Sequence, residues 1–272
     1  MGSVLPRLLF LSATQGHEEG LANSSGLVGK RLMMHPFGTV IGLFEDDLES
    51  WRGPWGQHLH CLEFYETDVS RGFVRGAKWG LMPTGAPLSM VLPRTLGRSR
   101  RVGEISFTRY FAVASVTLQC GESSVEDLPE EANRVELARD RCDSDGLPGV
   151  KIFYRSSENS QRMMDFHLEH ARIALEQMGA YETVTTANIR VSGWHLLGTT
   201  KMGDDPATSV VNAQGRTHDI PNLYIFDGSV FPTSSGMNPT ATIAALAHRL
   251  SEQLLEHARD QRVPEPSRSV AL

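Results

Sequence analysis

Two residues of this chain combine chemistry with a telling position. An imidazole at His195 stands in WHLLGTTKMG, and an amide at Asn238 stands directly before Pro239 in SSGMNPTAT. A histidine titrates near neutrality and can take a proton, whereas an asparagine can only donate or accept hydrogen bonds. Asn238 and Pro239 open a run of small residues followed by an apolar stripe. That pattern predicts a helix start with no acid beside it and no Lys or Arg before Arg249. Such an end presents unpaired N–H groups and about half a positive charge, and so favours a nearby anion. Each residue also has a plainer reading. A lone histidine beside Trp194 fits a packed, hydrogen-bonded side chain, and Asp227 in FDGS fits a turn or cap acid.

Metal chemistry is poorly supported. HLHC places His58, His60 and Cys61 close together, and two histidines two apart on a strand share a face, but no fourth ligand is evident. HLEH (167–170) is one residue short of H-x-x-E-H, and HEEG lacks the second histidine of H-E-x-x-H; both read as surface helix and loop. DSDG lacks the rest of a calcium loop. The arginine cluster in RTLGRSRRVG (94–103) reads as a solvated loop. Neither G-x-G-x-x-G nor G-x-x-x-x-G-K-[ST] occurs.

The elements that must position these residues are legible in outline. GSVLPRLLFLSA reads as a buried element, with Pro6 in a first helical turn and Leu8, Leu9 and Leu11 supplying apolar bulk. Gly26 and Gly29 permit tight backbone, and Pro36 stops any helix. From Phe37 to about Leu137 short apolar runs divided by Gly and Pro predict an antiparallel sheet, with FAVASVTLQC (111–120) the clearest strand. VELARD and VKIFYR flank RCDSDGLPG and predict a hairpin. Met164, Leu168, Ala171, Leu175 and Met178 step at helical spacing, with Ser157 to cap the start and Gly179 the end. NLYIFDGSVFP (222–232) reads as a buried strand running into a glycine turn. The last helix keeps Ile243, Leu246, Leu250 and Leu254 on one face, and a loose tail is expected after about Arg259.

Totals exclude several classes. A chain of 272 residues, 40% hydrophobic and 21% charged, can bury a real core. A net charge of -6 gives no general attraction to nucleic acid or anionic lipid. Cys61, Cys120 and Cys142 are too few and too spread for a disulfide framework. No apolar run is long enough to span a membrane, and LLFLSA is too short for a signal peptide, so a cytoplasmic chain is expected.

WHLLGTTKMGDDP, NLYIFDGSVFPTSSG and MNPTATIAALA, in that order, together resemble the C-terminal portion of the glucose-methanol-choline (GMC) oxidoreductases, flavoenzymes that oxidise alcohols. GSVLPRLLFLS and NSSGLVGKRLMMHP resemble consecutive segments inside the same family. The resemblance covers residues 1–36 and 150–256 closely and the middle loosely. It implies a fold of α/β and α+β character: a partial, Rossmann-like FAD-binding domain and an antiparallel-sheet substrate-binding domain with packed helices. The implied boundaries are 1–37 for a remnant of the FAD domain, 38–190 for the substrate domain, 191–258 for the return to the FAD domain, and 259–272 for a flexible tail.

The resemblance also implies roles. His195 matches the family's catalytic base and Asn238 its second active-site position, where the amide hydrogen-bonds the substrate oxygen. Trp194, Asp227, Gly228, Asn238, Pro239 and Thr240 match cofactor-contacting positions, with the 239 helix end facing the pyrimidine edge of the flavin. The cofactor is FAD, and the substrate an alcohol or sugar in the manner of the sugar and polyol dehydrogenase branch. The family's glycine-rich FAD fingerprint lies in an N-terminal half that this sequence lacks. A separate flavin-binding half is therefore the expected partner, and an orphan substrate-binding domain the alternative.

Overall fold

The computed structural model describes residues 3–46, 48, 59–83, 116–119, 125–188 and 194–260. The opening helix, α1 (Val4–Leu11), buries Pro6 and Leu9 but leaves Val4 and Leu8 exposed. The expected buried element is thus half buried, because one face of a two-turn helix meets the body. Arg7 ties that helix to the hairpin of β6 (Arg134–Cys142) and β7 (Pro148–Phe153), donating to the Pro148 carbonyl at 2.8 Å and pairing with Asp143. The Asp143 carboxylate caps the turn through the Asp145 and Leu147 N–H groups, and Gly146 takes the left-handed conformation the turn needs.

Five strands form one antiparallel sheet. β2 (Thr39–Leu43) lies between β5 (Val116–Gln119) and β8 (Glu182–Thr186), and β4 (Trp79–Pro83) joins β5 to β3 (Leu59–Cys61). The antiparallel sheet expected of the middle third is present. Of FAVASVTLQC, Val116–Gln119 is strand and the rest lies outside the described residues. So do His58 of HLHC, the 94–103 arginine cluster and residues 261–272.

The long helix α2 (Glu158–Gln177) covers one face of that sheet. Ser157 caps its start by accepting from Ser160 N–H at 3.0 Å, and Gly179 follows its end with φ +99°. Met163, Met164, Leu168, Ala171 and Leu175 pack with Val40, Phe44, Phe73 and Trp79 in the main core. Two findings correct the sequence reading here. Met178 is exposed rather than the last member of the stripe, and His167 of HLEH is buried rather than on a surface helix. Trp79 Nε1 donates to His167 Nδ1 at 2.9 Å, which satisfies a buried indole and holds the start of β4 against α2.

A separate two-stranded pairing joins β1 (Met33–His35) to β9 (Trp194–Leu197), with Met33 opposite Leu197 and His35 opposite Trp194. It brings together segments from either side of the large sheet. Met34 and Leu196 of this ribbon pack with Leu32 and Val135, and a further core gathers Leu9, Ala22, Val28, Val210, Val211, Ile225 and Val230. The last helix, α3 (Thr240–Asp260), buries Leu250 and lays Leu246 against that core. It runs to Asp260, and the tail expected after about Arg259 otherwise lies outside the described residues. NLYIFDGSVFP is not a strand. Only Tyr224 makes an isolated bridge, to Arg216, and the segment runs into a 3-10 turn at Gly228–Val230. Among the described residues no helix is long and apolar enough to cross a membrane, and Cys61 and Cys142 are free thiols.

Candidate active site

His195 sits on β9, at the point where the ribbon passes from exposed to buried. Its φ of +57° is in the left-handed region, which an L side chain with a Cβ rarely adopts without constraint from its surroundings. Three residues on, Gly198 has φ +88°, and a Cβ there would lie 2.5 Å from the Arg31 carbonyl oxygen. Glycine is therefore obligatory where WHLLGTT turns inward. The strand is held beside the 3-10 turn by Gly198 N–H to Gly228 C=O, Thr200 N–H to Ser229 C=O and Met202 N–H to Val230 C=O. This explains the concurrence of the His-Gly-Thr and Asp-Gly-Ser motifs: their backbones are hydrogen-bonded neighbours.

The His195 ring meets a partner that sequence reasoning missed. His35 Nδ1 lies 2.8 Å from His195 Nδ1, with the rings edge-on at 68°. His35 is buried, and among the described residues its Nε2 has no hydrogen-bond partner. Burial first and then the charge of His195 push the His35 pKa down to about 3, with the Ser235 backbone carbonyl opposing them and the more weakly acting Lys78 charge adding to them. A ring so placed stays neutral across the physiological range and keeps one nitrogen lone pair. Trp194, opposite His35 across the ribbon, is 44% exposed and rests on Phe37 with ring centroids 5.4 Å apart.

Asn238 lies at the end of a loop fixed from several directions. Ser234 Oγ accepts from Asp127 N–H at 2.9 Å and donates to the Asp127 carbonyl at 3.0 Å. Gly236 N–H donates to the Tyr65 hydroxyl at 3.0 Å. The Asp127 carboxylate in turn accepts from Met34 N–H, Tyr154 Oη–H and Ser160 Oγ–H, so one buried acid links β1, β7's exit, α2 and the 234 loop. Burial raises its pKa to about 6, partly offset by those donors. Asn238 itself is exposed, and its Oδ1 accepts from the ammonium of Lys78 at 2.5 Å. Lys78, also missed from sequence, is 1% exposed.

His195 and Asn238 are thus joined through two intermediates: His195 touches His35, His35 feels the Lys78 charge, and Lys78 holds Asn238. The other predicted contacts divide. Pro239 is buried and its carbonyl accepts from Ile243 N–H at 2.8 Å, so the N–H groups of Thr240, Ala241 and Thr242 precede the first helical bond. Those three small residues are exposed, and the first turn holds no acid. Asp227 does what a cap acid does, accepting from Ser229 N–H at 2.8 Å and from Ser229 Oγ–H. Gly228 is buried, and a Cβ there would lie 2.8 Å from Leu197 and 3.0 Å from Ile243. Its need for glycine therefore comes from packing between β9 and α3. Among the described residues no group of histidine, cysteine and acid side chains could hold a metal ion.

These residues fit a planar cofactor that carries hydrogen-bond acceptors on one edge. A helix start whose first N–H groups precede the first helical bond, with small exposed side chains and no acid in its first turn, accommodates a flat ring whose edge carries acceptors. The family model described as GMC oxidoreductase matches residues 129–247. The chain is 37% identical over 265 residues to the 2-methyl-1,2-propanediol dehydrogenase of Mycolicibacterium austroafricanum, covering 94% of this chain and 46% of that protein. It is 28% identical over 259 residues to the fructose dehydrogenase large subunit of Gluconobacter japonicus, covering 93% and 46%. A solved structure of an Aspergillus oryzae formate oxidase variant, studied for FAD modification, matches in fold with a TM-score of 0.54 at 14% identity, covering 94% of this chain and 53% of that one. The chain spans about half the length of the curated relatives it matches. With the motifs hydrogen-bonded side by side and the mixed fold of helices on antiparallel sheet in place, the chain belongs to the GMC oxidoreductase family, of which it carries the C-terminal domain.

Proposed function

We propose that this chain forms the substrate side and C-terminal part of an FAD-dependent dehydrogenase acting on the CH–OH group of an alcohol or sugar, with His195 as the base and Asn238 as the residue that holds the substrate oxygen. In this reading segments 1–37 and 191–258 face the flavin, residues 38–190 shape the substrate pocket, and a flavin-binding half completes the enzyme. The observation that carries it is the His35–His195 contact. His195 Nδ1 is committed to a neutral, buried imidazole, so exchange with substrate falls to Nε2. For Nε2 to act as a base, His195 Nδ1 carries the proton and donates to the His35 lone pair. A bound flavin supplies the two-electron acceptance that no side chain can provide. The protein's own part is to orient the alcohol, take its hydroxyl proton on His195 and shelter the oxygen at Asn238.

Trp194, Pro239 and Thr240 contribute surface on the cofactor side, and Asp227 and Gly228 hold the shape of the turn behind it. The relatives named as acting on a diol and a sugar support the substrate class. The test is co-expression of this chain with the N-terminal half of the Mycolicibacterium relative. A yellow assembly that reduces an artificial electron acceptor when given an alcohol is the expected product. A colourless assembly, or a yellow one that no alcohol reduces, would leave only the orphan-domain alternative.

A further inference from the structure

We propose that Lys78 is a positioning residue of the site: its buried ammonium grips the carbonyl oxygen of the Asn238 side-chain amide, so that Asn238 turns only N–H donors toward the substrate oxygen. The role in turnover rests on the reading above; the orientation itself does not.

An ammonium group is seldom buried without acceptors, because removing it from water is expensive. Lys78 is 1% exposed, and its Nζ lies 2.5 Å from Asn238 Oδ1. An ammonium offers three donors and no acceptor, whereas a primary amide has one oxygen and one NH2 group. The atom it meets must therefore be the oxygen. That contact removes the flip ambiguity of the amide and sends its NH2 the other way.

Both ends of the contact are anchored. Lys78 stands between Ala77, which bridges to Val125, and Trp79, which opens β4 and is held by His167. Asn238 stands between a loop tied to Asp127 and Tyr65 and the buried Pro239. The ion–amide contact therefore joins the sheet that shapes the substrate side to the helix start on the cofactor side. Its charge also reaches the site, since it helps to keep His35 unprotonated.

Two chemical consequences follow. A cation on the amide oxygen polarises the amide and makes its N–H groups better donors. Donors at Asn238 can bind only a lone pair of the substrate oxygen, which leaves the hydroxyl proton to face His195. The arrangement thus selects an alcohol or its alkoxide over a protonated amine of the same shape, which has no lone pair to offer.

The test uses two readouts. In protein labelled with 15N at asparagine, the Asn238 side-chain amide, assigned through Asn238→Asp, is expected to give two well-separated, slowly exchanging proton resonances. Lys78→Met should shift both resonances and speed their exchange, while Lys78→Gln, which keeps a donor without the charge, should hold them closer to their original positions. Free-amide resonances in the unmutated protein, or no change in either variant, would overturn the proposal, and this reading requires neither flavin nor turnover. In the flavin-bound assembly, Lys78→Met should lower kcat/KM by about 10- to 100-fold, somewhat less than deletion of an oxyanion donor. The loss should grow from 2,2,2-trifluoroethanol to 2-fluoroethanol to ethanol, as the alcohol becomes less acidic. A uniform loss across the three would contradict a role in steadying the oxygen. An assembly with no activity before mutation would count against the proposed function and leave the amide result to decide the role of Lys78.

Discussion

Replacing His35 by glutamine should change how the protein responds to acid, and by a predictable amount. In the folded chain His35 is held neutral, with its pKa lowered from 6.5 to about 3, chiefly by burial and then by His195. Below pH 6.5 the unfolded chain takes up a proton at this ring and the folded chain does not. The stability supplied by the neutral, buried ring is therefore complete above 6.5 and is lost as pH falls toward about 3. At about 1.4 kcal/mol per pH unit the whole span corresponds to about 5 kcal/mol, and the part lost between pH 7.5 and pH 5 to about 2 kcal/mol. His167, lowered to about 4 by burial, and Asp127, raised to about 6, titrate in both proteins and cancel in the difference. Urea unfolding of both proteins at pH 5 and pH 7.5 measures it. The unmutated protein should lose about 2 kcal/mol more than His35→Gln on going to pH 5. Equal losses would mean that His35 takes up its proton normally in the fold and presents no lone pair to His195.

Two further substitutions test the supports of the site. Asp127→Asn should show the opposite pH dependence. A carboxyl raised from 3.8 to about 6 contributes most below 3.8 and loses that contribution as pH rises through 6. The unmutated protein should therefore lose about 2 kcal/mol relative to the variant between pH 4 and pH 7 in the same urea assay. Gly198→Ala places a Cβ 2.5 Å from the Arg31 carbonyl at a φ of +88°, and should cost about 3 kcal/mol by thermal or urea unfolding.

The sequence made the two motif residues legible and hid what holds them. His195 and Asn238 stand out because each sits in a motif whose neighbours are themselves constrained: Gly198 by the Arg31 carbonyl, Pro239 by the helix start. His35 and Lys78 have no such local signal. MMHP and GAKWG carry no motif of their own, and only the pairing of β1 with β9 and the placement of β4 bring His35 and Lys78 in. The hairpin and α2 could be read because turn residues and a helical stripe are local patterns. His167 was readable too. It falls three residues after Met164 and four before Ala171, on the buried face of α2, and the short motif drew attention from that periodicity. NLYIFDG misled because an apolar run signals burial without specifying a ladder. Ile225 packs in the core, while Tyr224 and Phe226 set their rings against each other at 5.9 Å.

His195→Ala in the assembly completed with a flavin-binding half tests the proposed base most directly. Visible absorbance should show flavin retained, while kcat/KM with an alcohol falls by about 10²- to 10⁴-fold, the usual contribution of a positioned base. Unchanged turnover in a variant that still carries its flavin would place proton removal elsewhere and contradict the site described for this chain.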